Sequence, residues 1–201
     1  RQFAVKLKLN GRMWGPVIPK KLGGYFQMDM GHSLVNRFIK PKKYFKVHPE
    51  WYAYRKGDKK RHKTQLCTSD KEMLNTLAKE VMTYLEKNPH KRDFLSISFA
   101  DNDKFCQCEK CTAVVKKYGA NSALIINAAN FIARKTAKKY PKLRILFQAY
   151  WASCRPPKAM TLEPNIVVGF ALLNRNHGFP VSSTPHHNPY LRKWAKLSHG
   201  Q

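Results

Sequence analysis

Three strand-like runs, Phe94–Phe99, Leu143–Trp151 and Asn165–Leu173, constrain this chain more than any other feature. The first alternates strictly, with Leu95, Ile97 and Phe99 on one face. The last is apolar along its whole length. Two helical segments interleave with them. Behind a capping box at Ser69-Asp70-Lys71-Glu72, apolar residues recur at Leu74, Leu77, Ala78, Val81 and Leu85 until Asn88-Pro89 stops the helix. A second helix opens at Asn121-Ser122, is apolar nearly all round and ends at Tyr140-Pro141, a pattern that predicts deep burial. Apolar strands alternating with helices predict a parallel sheet covered on both faces.

Shorter signals complete the outline. Gly24–Met30 and Thr64–Cys67 read as brief strands, and Tyr190–Leu197 as an incipient helix. Residues 38–63 carry Pro41, Pro49, Gly57 and many charges, which predicts a long loop with at most a helical turn. At 201 residues and 43% apolar content, one domain spanning residues 1–201 is expected. An open doubly wound sheet would suit the length, but Gly23-Gly24 precedes a strand instead of following one, so the phosphate-binding fingerprint is missing. The expected fold is therefore α/β: a partial TIM-type (β/α)8 barrel of parallel strands and crossover helices, continuing beyond Gln201. No apolar run approaches the length of a membrane span.

In a parallel barrel the carboxyl ends of the strands share one face. His32, Cys67, Asp101, Tyr150, Trp151 and Asn174 each fall within a residue or two of such an end, so they are expected to ring one pocket. Elimination among the 12 carboxylates points the same way. Glu72, Glu80 and Glu86 lie on a solvated helix, Asp70 caps it, and Asp58, Asp93, Glu50 and Glu163 occupy loops. Asp29, Asp101, Asp103 and Glu109 remain, with Asp101 placed best, in the first turn past its strand. A turn carboxylate capping backbone N–H groups is the competing reading. His32 reads equally as a substrate ligand or a structural histidine. Tyr150 and Trp151 could stack on sugar faces or bases. His177, His186 and His187 lack metal-ligand spacing.

The five cysteines are too few for a disulfide scaffold, yet Cys106-Gln-Cys108-Glu-Lys-Cys111 forms a cluster. With Cys67 it could hold one tetrahedral structural Zn²⁺, make two disulfides, or stay as free thiols. Cys154 stands apart. Charge is the other outlier, 38 Lys+Arg against 12 Asp+Glu, densest from Lys40 to Lys63. It fits either an anionic partner or a generally basic surface.

Several motifs together resemble the family called domain of unknown function 4838. They are Gly31-His32-Ser33, His48-Pro49-Glu50-Trp51-Tyr52, Gln65-Leu66-Cys67, Asn88-Pro89, Asp101-Asn102, the cysteine cluster, Tyr140-Pro141, Ala149-Tyr150 and Pro156-Pro157. The family resembles glycoside hydrolases with α-glucuronidase-like or hexosaminidase-like barrels, and its members are often exported or periplasmic. The resemblance implies a glycan-active protein with Asp101 as a catalytic acid and His32, Asn102, Tyr150, Trp151 and Asn174 on the substrate. It also implies a polysaccharide or oligosaccharide partner, and the basic surface favours an acidic one. This chain departs from the family pattern at Ala100, Asp103, Lys104, Gly169 and Asn174, so the second catalytic carboxylate is expected beyond Gln201. A non-catalytic carbohydrate-binding barrel and a nucleic-acid-binding protein are the alternatives.

Overall fold

The computed structural model describes residues 31–89, 93–173, 178–180, 183 and 188–198. The expected strand at residues 24–30 and the three histidines at 177, 186 and 187 lie outside them. The described residues form a small α/β domain with five strands in two separate sheets.

The larger sheet has three parallel strands in sequence order: β3 (Phe94–Ser96), β4 (Arg144–Ala149) and β5 (Ile166–Phe170). Leu95 pairs with Ile145, and Ile145 with Ile166. Beyond the last paired residue of β3, the Ile97 N–H still donates to the Leu146 carbonyl at 2.8 Å. Leu95, Ile97, Ser96 and Ser98 are all buried, so both faces of this run are covered. The serines are tolerated because they are bonded. Ser96 Oγ donates to the Gly31 carbonyl at 2.7 Å, and Ser33 Oγ accepts the Ser98 N–H at 3.0 Å. These contacts lay the Gly31–Leu34 segment along the edge of β3.

The helices follow their sequence signals. α1 (Lys71–Lys87) starts at Asp70, whose carboxylate accepts the Met73 N–H at 2.8 Å, a cap that contributes about 1 kcal/mol. The expected capping box is thus displaced by one residue, and the Ser69 hydroxyl instead lies 3.2 Å from Cys111 Sγ. α2 (Glu109–Tyr118) was not foreseen, because its apolar content is thin. It ends at Gly119, whose φ of +71° supplies the left-handed turn that stops a helix. α3 (Ser122–Ala137) is buried nearly all round and packs against α1, β4 and β5. α4 (Asn188–Leu197) packs on β5 and is anchored by buried Trp194. The Trp194 indole N–H donates to the Cys154 carbonyl at 2.7 Å, and its ring meets Phe147 edge-on.

The second sheet corrects two expectations. β1 (Tyr52–Arg55) and β2 (Lys60–Leu66) form an antiparallel hairpin, mostly inside the segment read as a loop; only the end of β2 coincides with the brief strand expected at Thr64–Cys67. The hairpin's burial does not alternate: Tyr52 and Ala53 pack with Gln65 and Leu66 at the open end, where Tyr52 pairs with Leu66, while the turn end from Arg55 to Lys60 is charged and solvated, so no period-2 signal marks the ribbon. The partial (β/α)8 barrel is overturned as well. β2, the strand that delivers Cys67, belongs to this hairpin and not to the parallel sheet. The β4–β5 connection carries only a short 3₁₀ turn, Trp151–Ser153, and no crossover helix. Strand–helix alternation therefore fails in the hairpin and between β4 and β5.

Candidate functional site

Four of the five cysteines come together where the hairpin meets the parallel sheet. Cys67 follows β2, and its N–H donates to the Trp51 carbonyl at 2.8 Å. Cys106 and Cys108 lie on the loop after β3, Cys108 is the N-cap of α2, and Cys111 sits in that helix's first turn. Cys67 Sγ lies 3.6 Å from Cys108 Sγ and 3.7 Å from Cys111 Sγ. All four sulfurs lie within 4.8 Å of one another. Four thiolates at about 2.3 Å from zinc form a tetrahedron with edges of about 3.8 Å, so these separations suit one metal ion. A disulfide needs sulfurs at about 2.0 Å, and all five cysteines are unbridged.

The surroundings favour negative sulfur. The Cys106 thiol is held far below its ordinary pKa by hydrogen bonds from the Cys111 and Cys67 thiols, with the Cys108 and Tyr54 N–H groups assisting against burial. The Tyr54 N–H lies 3.3 Å from Cys106 Sγ. Donating to Cys106 pushes Cys67 up to about 12 and raises Cys111. The Arg61 guanidinium, fixed by the Glu50 and Tyr52 carbonyls at 3.0 and 2.8 Å, approaches Cys106 Sγ at 4.0 Å. Such N–H donors and a cation offset the negative charge of a four-thiolate set. Cys67, Cys106 and Cys111 are buried and Cys108 is half-buried, so the cluster is nearly closed, as structural metal sites are.

A second group gathers at the carboxyl ends of β3 and β4. His32, Asn102, Gln148, Tyr150 and Trp151 line a narrow cleft there, with room for about one water-sized sphere. His32 Nδ1 lies 2.6 Å from the Phe99 carbonyl. A carbonyl only accepts, so Nδ1 is the donor in this bond. The His32 ring meets Tyr150 edge-on, with centroids 6.0 Å apart. The Tyr150 hydroxyl engages the Asp101 carboxylate, and that bond raises the phenol above its usual pKa. Trp151 is 51% exposed with a φ of +43°, a left-handed backbone that a bulky residue rarely adopts.

The turn bearing Asp101 is held from the hairpin. Buried Gln65 donates to the Ala100 and Asn102 carbonyls at 2.9 and 3.2 Å and accepts the Ala100 N–H at 3.2 Å. Sequence reasoning gave Gln65 no positioning role; its signal was a lone amide at the apolar end of a strand. It also missed Gln148, which β4 presents to the cleft.

His32, Asn102, Tyr150 and Trp151 therefore share one cleft, with Asp101 at its edge. Cys67 turns away to join the other thiols, and Asn174 lies outside the described residues. Asp103 lines a different groove, beside Arg55 and Lys56. Cys154 stays apart from the cluster, its thiol pKa raised by burial. Among the described residues no helix is long and apolar enough to cross a membrane.

The model of one family, Domain of unknown function (DUF4838), matches residues 2–200. The chain belongs to that family. No curated protein and no solved structure matches the chain.

Proposed function

We propose that this member of the domain of unknown function 4838 family recognises a carbohydrate chain at the strand-end cleft. The sugar ring lies on the Trp151 indole, and its hydroxyls meet Asp101, Asn102, Tyr150 and His32. The observation that carries this reading is Trp151, held half out of the protein by a left-handed backbone. For a non-glycine residue that conformation costs about 1–3 kcal/mol, a strain that clusters at ligand sites. An aromatic face beside a carboxylate, an amide and a phenol suits the apolar face and hydroxyl rim of a sugar. The narrowness of the cleft supports recognition along its rim, with the ring outside.

Hydrolysis of the glycoside-hydrolase type is the second reading, with Asp101 as the acid. It ordinarily needs two carboxylates flanking the bond. Among the described residues no carboxylate lines the cleft, and Asp101 reaches its edge through Tyr150. Binding is therefore placed ahead of turnover. For nucleic-acid binding, part of the Lys40–Lys63 charge is already engaged: Lys43 pairs with Glu80 at 2.6 Å, and Lys63 lies over the Phe45 ring. The remaining positive surface favours an acidic glycan over a neutral one.

We assign the four-cysteine cluster a structural Zn²⁺ held by Cys67, Cys106, Cys108 and Cys111. It would tie the hairpin to the loop after β3 and so fix the Gln65-supported turn that carries Asp101.

Calorimetric titration of neutral and acidic oligosaccharides into wild type, Trp151→Ala and Asp101→Asn, with product analysis, tests the carbohydrate reading. Binding about tenfold weaker in Trp151→Ala is expected. A protein that binds no saccharide, or a Trp151→Ala variant that binds like wild type, refutes it. Turnover abolished in Asp101→Asn would instead put hydrolysis first.

A further inference from the structure

A cavity of about 450 Å³, far from narrow, opens between the end of α2, the loop after the Trp151–Ser153 turn, and α4. That volume falls in the range of small-ligand sites. Its floor is apolar: Pro156 and Pro157 are buried, and Met160, Tyr190 and Leu197 are half-buried. Around this floor stand Arg155, Lys158, Lys193 and Lys196, all exposed, and among the described residues no Asp or Glu lines the cavity. Among the described residues, none of the four cationic groups is engaged in an ion pair.

These cations are placed by the fold. The Lys158 N–H donates to the Tyr118 carbonyl at 2.8 Å. Gly119, at φ +71°, leaves out a Cβ that would sit 3.7 Å from Lys158 Cδ and Cε, so the lysine stem runs over the helix end. Ala159 next to it has a φ of +45°, a left-handed backbone that a residue with a Cβ seldom adopts. Lys193 and Lys196 are three apart on one face of α4, which Trp194 anchors. Like charges so arranged repel each other, and an anion between them relieves that repulsion.

We infer that this cavity binds an anionic sugar: a saccharide ring carrying at least two sulfate, carboxylate or phosphate groups. The ring rests on the Pro157, Tyr190 and Leu197 floor, and its anions sit among Arg155, Lys158, Lys193 and Lys196. The inference stands apart from the Trp151 cleft, since it concerns other residues and another kind of contact.

The test titrates four probes into the full chain: a sulfated heparin disaccharide, a digalacturonate, glucose 1,6-bisphosphate and neutral cellobiose. At least one anionic probe is expected to bind in the millimolar range or tighter, and more weakly as salt rises. The same probe should bind at least tenfold more weakly to Lys193→Glu/Lys196→Glu and to Arg155→Gln/Lys158→Gln. The second variant lies off α4, so a folding defect in that helix cannot decide the outcome. Trp151→Ala should leave this binding unchanged, which separates it from the cleft. Which anionic probe binds identifies the source of the charge. The inference is overturned if no anionic probe binds, if cellobiose binds equally, or if Lys42→Glu/Lys46→Glu on the distant basic surface weakens binding as much.

Discussion

Replacing Cys111 with serine tests the metal centre most directly. Its thiol is fully buried, 3.7 Å from Cys67 Sγ, and the Cys67–Cys108 separation is 3.6 Å. A Zn–S₄ tetrahedron has edges of about 3.8 Å; these two separations match it to within about 0.2 Å, and all four sulfurs lie within 4.8 Å of one another. A site so preorganised loses most when a ligand is removed. Altering even an outer-shell partner costs up to about 100-fold in metal affinity, so losing a thiolate should cost at least about 100-fold, or about 2.7 kcal/mol. In excess zinc that difference appears in full as folding stability. At about 2–4 °C per kcal/mol for a chain of this size, Tm should fall by about 5–11 °C. Metal content by mass spectrometry, competition with a chromophoric chelator and thermal melts read all three quantities. Cys154→Ser, outside the cluster, should match wild type. The assignment fails if wild type takes up no zinc, or if Cys111→Ser holds it as tightly as wild type.

Two further outcomes follow from packing and charge. Ile97→Ala removes a fully buried core side chain and should cost about 2–5 kcal/mol in denaturant unfolding; Val47→Ala, 70% exposed, should change stability by less than about 0.5 kcal/mol. Burial pushes the Glu80 pKa up, but the Lys43 ammonium and the Tyr44 hydroxyl outweigh it and hold it below the usual carboxylate value. Its stabilising contribution is therefore present above the unfolded pKa and is lost as pH falls through the lower folded one. Glu80→Gln should cost about 0.5–1 kcal/mol at pH 7, discounted for a carboxylate that is partly solvated. That difference from wild type should disappear in melts below the folded pKa, and a cost independent of pH would rule out the ion pair.

Much of the architecture was legible in the chain because it rests on short-range chemistry. α1 and α3 follow from 3.6-residue periodicity, a carboxylate cap and Pro141 just past the second. The three parallel strands follow from apolar runs of strand length. The strand-end residues were found for the same reason: β3 and β4 are parallel neighbours, so the residues just past them emerge on one side and share a cleft. α2 was hidden because lysines and a thin apolar set surround Cys111, Val114 and Val115. Most of the hairpin was hidden because its turn end is solvated and charged; only Thr64–Cys67, at the buried open end, read as a strand.

By itself, then, the sequence determined the local elements, the identity of the four thiols and the residues that follow each parallel strand. Only the tertiary structure decided that β2 runs antiparallel, that the barrel does not form, and that Cys67 joins the other cysteines instead of the cleft. It alone brought Arg155 and Lys158 opposite Lys193 and Lys196, more than thirty residues away along the chain. Strand direction and long-range contact depend on which distant surfaces bury one another, a property of the whole packed chain that no local window carries.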